Sequence, residues 1–221
     1  MLIESGSTLY TYPISRDFGF APNPFHGICT LATCKPRIRK KAKVGDWVIG
    51  IAGANLKPIK RKCIFIMKVT EVLTFQEYWE DQRYILKRPC RNGSQVKLLG
   101  DNIYHKDIDG NWIQEDSHHS NVDGSMNNVN VDRDTGSTEN VLISDFFFYF
   151  GDKAIPIDLE SIGYGRIRDY KKTYLVPFGN GEALISKITS EFKNYRNTVI
   201  GDPFHFIDSH KRVNQETGKI T

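Results

Sequence analysis

The chain has 221 residues, of which 39% are hydrophobic, 25% charged and 12% aromatic. That is enough apolar material for one sizeable core, and it excludes a disordered chain or a fibre. No apolar run approaches the roughly 20 residues that span a bilayer, and the first residues lack the basic and apolar regions of a signal peptide, so the expectation is a cytoplasmic chain without a membrane partner.

The net charge of +4 conceals an asymmetry. Between Lys35 and Lys62 ten basic residues face Asp46 alone, and between Asp101 and Asp145 ten acidic residues face Lys106 and Arg133. Such a pair of segments implies either internal pairing or one phosphate-facing surface.

In chain order, Leu9–Tyr12 is rich in β-formers and closes at Pro13, which predicts a strand. The stretch from Arg16 to Gly27 mixes glycines and prolines with three phenylalanines and a histidine, the composition of a shaped loop rather than a linker. Val44–Ala52 predicts a strand with Trp47, Ile49 and Ile51 on one face; Cys63–Val72 predicts its hairpin partner, apolar on both faces in its first half. Thr74 and Glu77 have capping-box spacing, with Leu73 and Tyr78 at the staple positions, so a short helix should run from Phe75 to about Tyr84.

From Asn92 to Asn140 apolar residues thin out, which marks a functional or partly disordered stretch. Val141–Gly151 reads as a buried strand, Ile155–Ile157 as an edge piece, Gly163–Arg168 as a basic turn and Tyr174–Phe178 as another strand. Leu184, Ile188, Phe192, Tyr195 and Val199 form an apolar stripe at helical spacing, stopped by Gly201-Asp202-Pro203. The expected organisation is one α+β domain over 1–208 and a frayed polar tail over 209–221.

The motifs exclude several chemistries. There is no phosphate loop of the G-x-x-x-x-G-K-[ST] type, no complete dinucleotide fingerprint around Gly163, no H-E-x-x-H and no zinc-deaminase signature beside Cys90. Asn130, Asp132 and Asp134 have calcium-loop spacing, but Val141 stands where the bidentate glutamate belongs. Cys29, Cys34, Cys63 and Cys90 contain no C-x-x-C pair and read as small buried hydrophobes. The sequence names no cofactor. It leaves a metal open, since the polar cluster of His105, Asp107, Glu115, Asp116, His118 and His119 could supply one histidine plus carboxylates. In an extended segment Asp116 and His118 would share a face while His118 and His119 would not.

Five stretches resemble nucleotide modification associated domain 2: Arg16–Pro36, Gly45–Gly50, Gly100–His105, Trp112–Ser120 and Val141–Gly151. The resemblance implies a place in bacterial or phage systems that hypermodify DNA bases, and carries no assigned activity. The order of the Trp47 strand, the Cys63 strand and the capped helix is also similar to PUA-like barrels such as ASCH and EVE domains, which implies a β-barrel that holds RNA or a modified base.

The expected function is recognition of a nucleotide or nucleic acid, DNA before RNA. Arg16, Phe20, Asn23, Phe25, His26, Trp47 and Trp112 would build a base pocket; Lys35 and Arg37 would contact phosphates; Asp116, Ser117 and His118 would read base edges. The rival expectation is an enzyme on a nucleotide or modified base, with His26, His105, Glu115, Asp116 and His118 as acid–base or metal-binding groups.

Overall fold

A computed structural model describes residues 3–164, 174–214 and 219–220, with the backbone alone for 174–180. In chain order the strands are β1 (Thr8–Ile14), β2 (Cys29–Leu31), β3 (Trp47–Ala52), β4 (Cys63–Lys68), β5 (Glu71–Thr74), β6 (Tyr104–Lys106), β7 (Trp112–Gln114), β8 (Asn140–Ser144), β9 (Phe146–Tyr149), β10 (Tyr174–Pro177) and β11 (Thr198–Val199). The helices are α1 (Pro36–Lys41), α2 (Phe75–Glu80), α3 (Gln95–Leu98), α4 (Asn128–Thr135) and α5 (Phe178–Glu191). The main sheet runs β10-β1-β3-β4-β9-β11; β2-β8-β5 form a second sheet and β6-β7 a hairpin.

β3 and β4 lie in the middle of the main sheet and are buried on both faces, which is why their sequences are apolar almost throughout. The pleat sorts their side chains. Val48, Phe65 and Met67 join Tyr10, Tyr12 and Ile14 on one face, while Trp47, Ile49, Ile51 and Ile66 join Leu184, Ile185 and Ile188 of α5 on the other. A third cluster under α2 gathers Phe75, Tyr78 and Tyr84 with Phe18, Phe20 and Tyr104.

Two strands expected as single pieces each turn a corner. The chain leaves β4 through Val69 and Thr70 into β5, and β8 passes through Asp145 into β9, so that β4 pairs with β9 in one sheet and β5 with β8 in the other. The Thr70 hydroxyl accepts from the Asp145 N–H at 3.0 Å and holds the two corners together. The expected closed barrel is not formed: among the described residues the main sheet ends at β10 on one side and β11 on the other. The result is a mixed α+β fold with open sheets.

Four other expectations shift. The capping box is present, but α2 ends at Glu80 and a 3-10 stretch, Gln82–Lys87, continues it. The stripe from Leu184 is helical only to Glu191; Val199 instead pairs β11 beside β9, and Tyr195 is exposed. The polar stretch 92–140 is folded, because its Asp, Asn and Ser side chains satisfy its own turns: Asp107 accepts from the N–H groups of Asp109 and Asn111, and Asn127 caps α4. Residues 209–214 also pack, through buried Ser209 and the contacts of Arg212. Most of the expected basic turn at 163–168 lies outside the described residues.

Candidate functional site

Three distant segments meet on the Tyr12 and Ile14 side of the main sheet. The first is the link between β2 and α1, where Cys34 and Lys35 both adopt left-handed backbone (φ 57° and 43°), rare for residues with a side chain. Asp134 Oδ1 accepts the Cys34 N–H at 2.9 Å and Arg39 Nε donates to the Cys34 carbonyl at 2.8 Å, so the peptide groups before and after Cys34 are both held.

The second segment is the tight turn after β7. Ser117 and Ser120 clasp it: the Ser120 hydroxyl accepts the Ser117 N–H, and the Ser117 hydroxyl accepts the His119 N–H. The Gln114 and Asn130 amides both donate to the His119 carbonyl, at 3.3 and 2.6 Å. The third is α4, whose Asn130, Arg133 and Asp134 share one face by their i, i+3, i+4 spacing.

Together these segments align a relay. Cys34 Sγ lies 3.8 Å from His119 Nε2, and His119 Nδ1 lies 2.8 Å from Asp134 Oδ2. Tyr104 also donates to that carboxylate oxygen at 3.0 Å, and Arg133 Nε donates to Oδ1 at 2.9 Å. Arg133 Nη2 lies 3.1 and 3.4 Å from the two ring nitrogens of His119 and so rests against the ring. The charges follow. Burial raises the Cys34 thiol, but Arg133 and His119 outweigh it and hold the thiol below its ordinary value. Burial lowers His119, yet Asp134 and Cys34 raise it overall. Asp134 is buried, and His119 and Arg133 still keep it below the usual carboxylate range.

A cavity of about 230 Å³ opens over the relay. Phe18, Phe20, Tyr12 and Ala21 supply apolar wall; Arg16, Lys35 and Arg133 supply positive charge; Cys34, His118 and His119 supply reactive or hydrogen-bonding groups, with Val213 at the edge. Burial, helped by the neighbouring Arg133, lowers Lys35, although Cys34 pulls the other way. Burial, then the neighbouring His119, pushes His118 down to about 3, so it is neutral at pH 7. It bonds to the Lys211 backbone, and its Nδ1 is buried without a partner. A second hollow, about 570 Å³ between Ile155–Asp158 and α5, has neither cysteine nor histidine in its wall.

Of the residues singled out in the sequence, Arg16, Phe20, Lys35 and His118 line the cavity. The others lie elsewhere. Trp47 is fully buried on the opposite face of the sheet, because β3 alternates and the Trp47 side faces α5. Trp112 packs edge-on against Phe75, with Lys106 over its ring. Asn23 is a buried strut that donates to the Leu99 carbonyl and accepts from Lys87 Nζ at 2.7 Å. Phe25 packs against Phe206, and His26 is exposed in left-handed backbone (φ 62°). Arg37 points outward from α1.

His105 and Glu115 pair with each other at 2.8 Å, and His105 stacks on Trp79. Asp116 and His118 do not share a face. The chain turns there, so Asp116 is exposed and accepts from Arg212 Nη2 at 2.5 Å, while His118 and His119 both reach the cavity. Ser117 is spent on the turn.

The sequence does not mark Cys34 or Arg133 as site residues, brings in Asp134 only through the incomplete calcium loop, and expects at most one of His118 and His119 in any site, whereas both line the cavity. No local motif marks them, since 85 and 15 residues separate the members of the relay. A local sign is Pro36 at the first turn of α1, which marks a helix start just after Cys34.

Cys34, His119 and Asp134 also have the donor types of a three-ligand metal site, with ligand atoms within 4.8 Å of one another. Arg133 argues against that reading: its guanidinium touches both His119 and Asp134 and already supplies the positive charge. No curated protein and no solved structure matches this chain. The sequence model of nucleotide modification associated domain 2 matches residues 6–210 and so spans the relay and all of the cavity wall but Val213; the chain belongs to that family.

Proposed function

We propose that this chain recognises a single nucleotide, holding its base in the cavity between Phe18, Phe20 and Tyr12 with the phosphate toward Lys35 and Arg16, as part of a bacterial or phage DNA-modification system. The observation that carries this reading is the cavity itself, which joins aromatic wall, cations and the His118 imidazole. Its size matters. About 230 Å³ is below the roughly 300–1,000 Å³ of pockets for drug-sized ligands, so it suits one base and not a dinucleotide. The aromatic faces support stacking. His118 in the cavity wall is neutral at pH 7, and a neutral imidazole offers one nitrogen as acceptor for an exocyclic amine or ring N–H. A PUA-like kinship of the β3–β5 and α2 segment is part of this reading, carried by the order of those elements.

Calorimetric titration of deoxynucleoside monophosphates against the matching deoxynucleosides tests it. Phe20→Ala should weaken both by about 1–3 kcal/mol, the usual worth of one stacked base. Lys35→Ala should weaken the monophosphate and spare the nucleoside. Equal affinity for the two ligands in wild type, or no binding of either, would refute the proposal.

A further inference from the structure

We infer that Cys34 is a nucleophile, with His119 as its acid–base partner and Asp134 as the group that orients His119, and that the thiol attacks the carbonyl carbon of an acyl group carried on the exocyclic nitrogen of the bound base. This rests on the reading that a base occupies the cavity. Four observations converge on it. Cys34 and His119 both line the cavity, while Asp134 lies behind His119 and contacts it from the far side. That is the order a nucleophile, base and orienting carboxylate require. The Cys34 peptide is clamped by Asp134 and Arg39 in left-handed backbone, which fixes where the thiol stands. The other cysteines differ: burial pushes the Cys29 and Cys63 thiols up, and Cys90 lies in an exposed loop.

The chemistry closes with water alone. The thiolate attacks the carbonyl carbon and the π pair moves onto oxygen, where Lys35 and Arg133 are the cations in the cavity wall. Collapse breaks the C–N bond, and the departing nitrogen takes the proton from His119. Water then adds to the thioester while His119 takes its proton, and the C–S bond breaks to return the thiolate. The products are the unmodified base and a carboxylic acid. Nothing is oxidised or reduced.

The test uses the full chain and three probes. With iodoacetamide, wild-type Cys34 should be alkylated at pH 7 at least about tenfold faster than Cys90, because Arg133 and His119 favour the Cys34 thiolate. His119→Asn should abolish that advantage and move the pH profile upward, a change that loss of packing alone would not produce. With N4-chloroacetyl-dCMP, the label should land on Cys34, and dCMP should slow it. N4-acetyl-dCMP should be converted to dCMP by wild type and not by Cys34→Ser.

Calorimetry with dCMP on Cys34→Ser separates the two readings. If dCMP binds but Cys34 reacts no faster than Cys90, or with the same pH profile without His119, the nucleophile is wrong and the pocket stands. If labelling follows His119 but N4-acetyl-dCMP is never cleaved, the acyl step is wrong. If dCMP binds neither protein, the pocket reading falls and this inference with it.

Discussion

His118, whose ring packs on Phe18, and Asp17, next to Phe18 in the chain, are both buried titratable groups, and they respond to acid in opposite directions. Burial lowers His118 from 6.5 to about 3, so between those values the unfolded chain takes up a proton that the folded chain refuses, and stability falls as pH falls. Burial raises Asp17 from 3.8 to about 6 despite the hydrogen bonds it accepts from Tyr149, Phe204 and Gly19. Between those values the folded chain takes up a proton that the unfolded chain refuses, and stability rises as pH falls. The two slopes oppose each other from about pH 6 to about pH 4, each near 1.4 kcal/mol per pH unit. Asp17→Asn should therefore lose about 3 kcal/mol relative to wild type across that window, and His118→Gln should gain a similar amount. Urea denaturation of the three proteins at pH 7, 6, 5 and 4 measures this; parallel curves would show that neither group carries a proton linkage. At this scale the sequence could point to His118 as one member of a polar cluster. It could not show that two serines would fold the segment into a turn and bring His119 alongside.

Elements whose signals are local were readable, and those that depend on partners were not. The capping box is the clearest case. The Thr74 hydroxyl accepts the Glu77 N–H at 3.2 Å, and Glu77 accepts the Thr74 N–H at 2.7 Å, using only residues three apart. β3 and β4 were equally plain, because alternation and a two-sided apolar run report their place mid-sheet. The corners left an ambiguous trace: the polar pairs Thr70-Glu71 and Ser144-Asp145 interrupt their apolar runs, as the solvated positions of a straight strand also would. α4 was hidden for another reason: its Asn and Asp residues are poor helix formers, and its stability comes from the Asn127 cap and from Arg133 and Asp134 gripping the His119 turn. Thr74→Ala should cost about 0.5–2 kcal/mol in thermal or urea unfolding. It should leave nucleotide affinity unchanged, because α2 buries Phe75 and Tyr78 in the third cluster and presents nothing to the cavity. A loss of nucleotide binding in this variant would mean that α2 governs the site.

Across the whole molecule, the two charged segments have different fates. The acidic one is largely answered within the fold: Asp134 meets Arg133 and His119, Glu115 meets His105, Asp116 meets Arg212 and Glu139 meets Lys106. Buried Asp101 accepts from Thr30 and Tyr78 near the buried Lys87 ammonium, whose pKa burial lowers to about 8. The basic segment divides. Arg39 is fully buried and donates to the carbonyls of Cys34, Asn140 and Asp134, so it is a brace and not a phosphate ligand. Lys35 lines the cavity, and Arg37, Lys40 and Lys41 project from α1, which begins at the cavity rim. If DNA approaches the cavity, these three side chains lie along its backbone. The log–log dependence of DNA affinity on salt should then carry a slope of about −0.9 for each phosphate neutralised. Replacing Arg37, Lys40 and Lys41 together with alanine should flatten the slope by up to about 2.7 and weaken DNA binding at low salt. It should leave the affinity for a mononucleotide intact, since none of the three reaches the cavity. Arg39 must be spared, because its loss would leave buried carbonyls unpaired and confuse folding with binding. Fluorescence anisotropy with a short duplex and a single strand, from 50 to 300 mM salt, reads the slope. An unchanged slope in the triple variant would make this face of α1 a solvated surface, and would confine recognition to the nucleotide in the cavity.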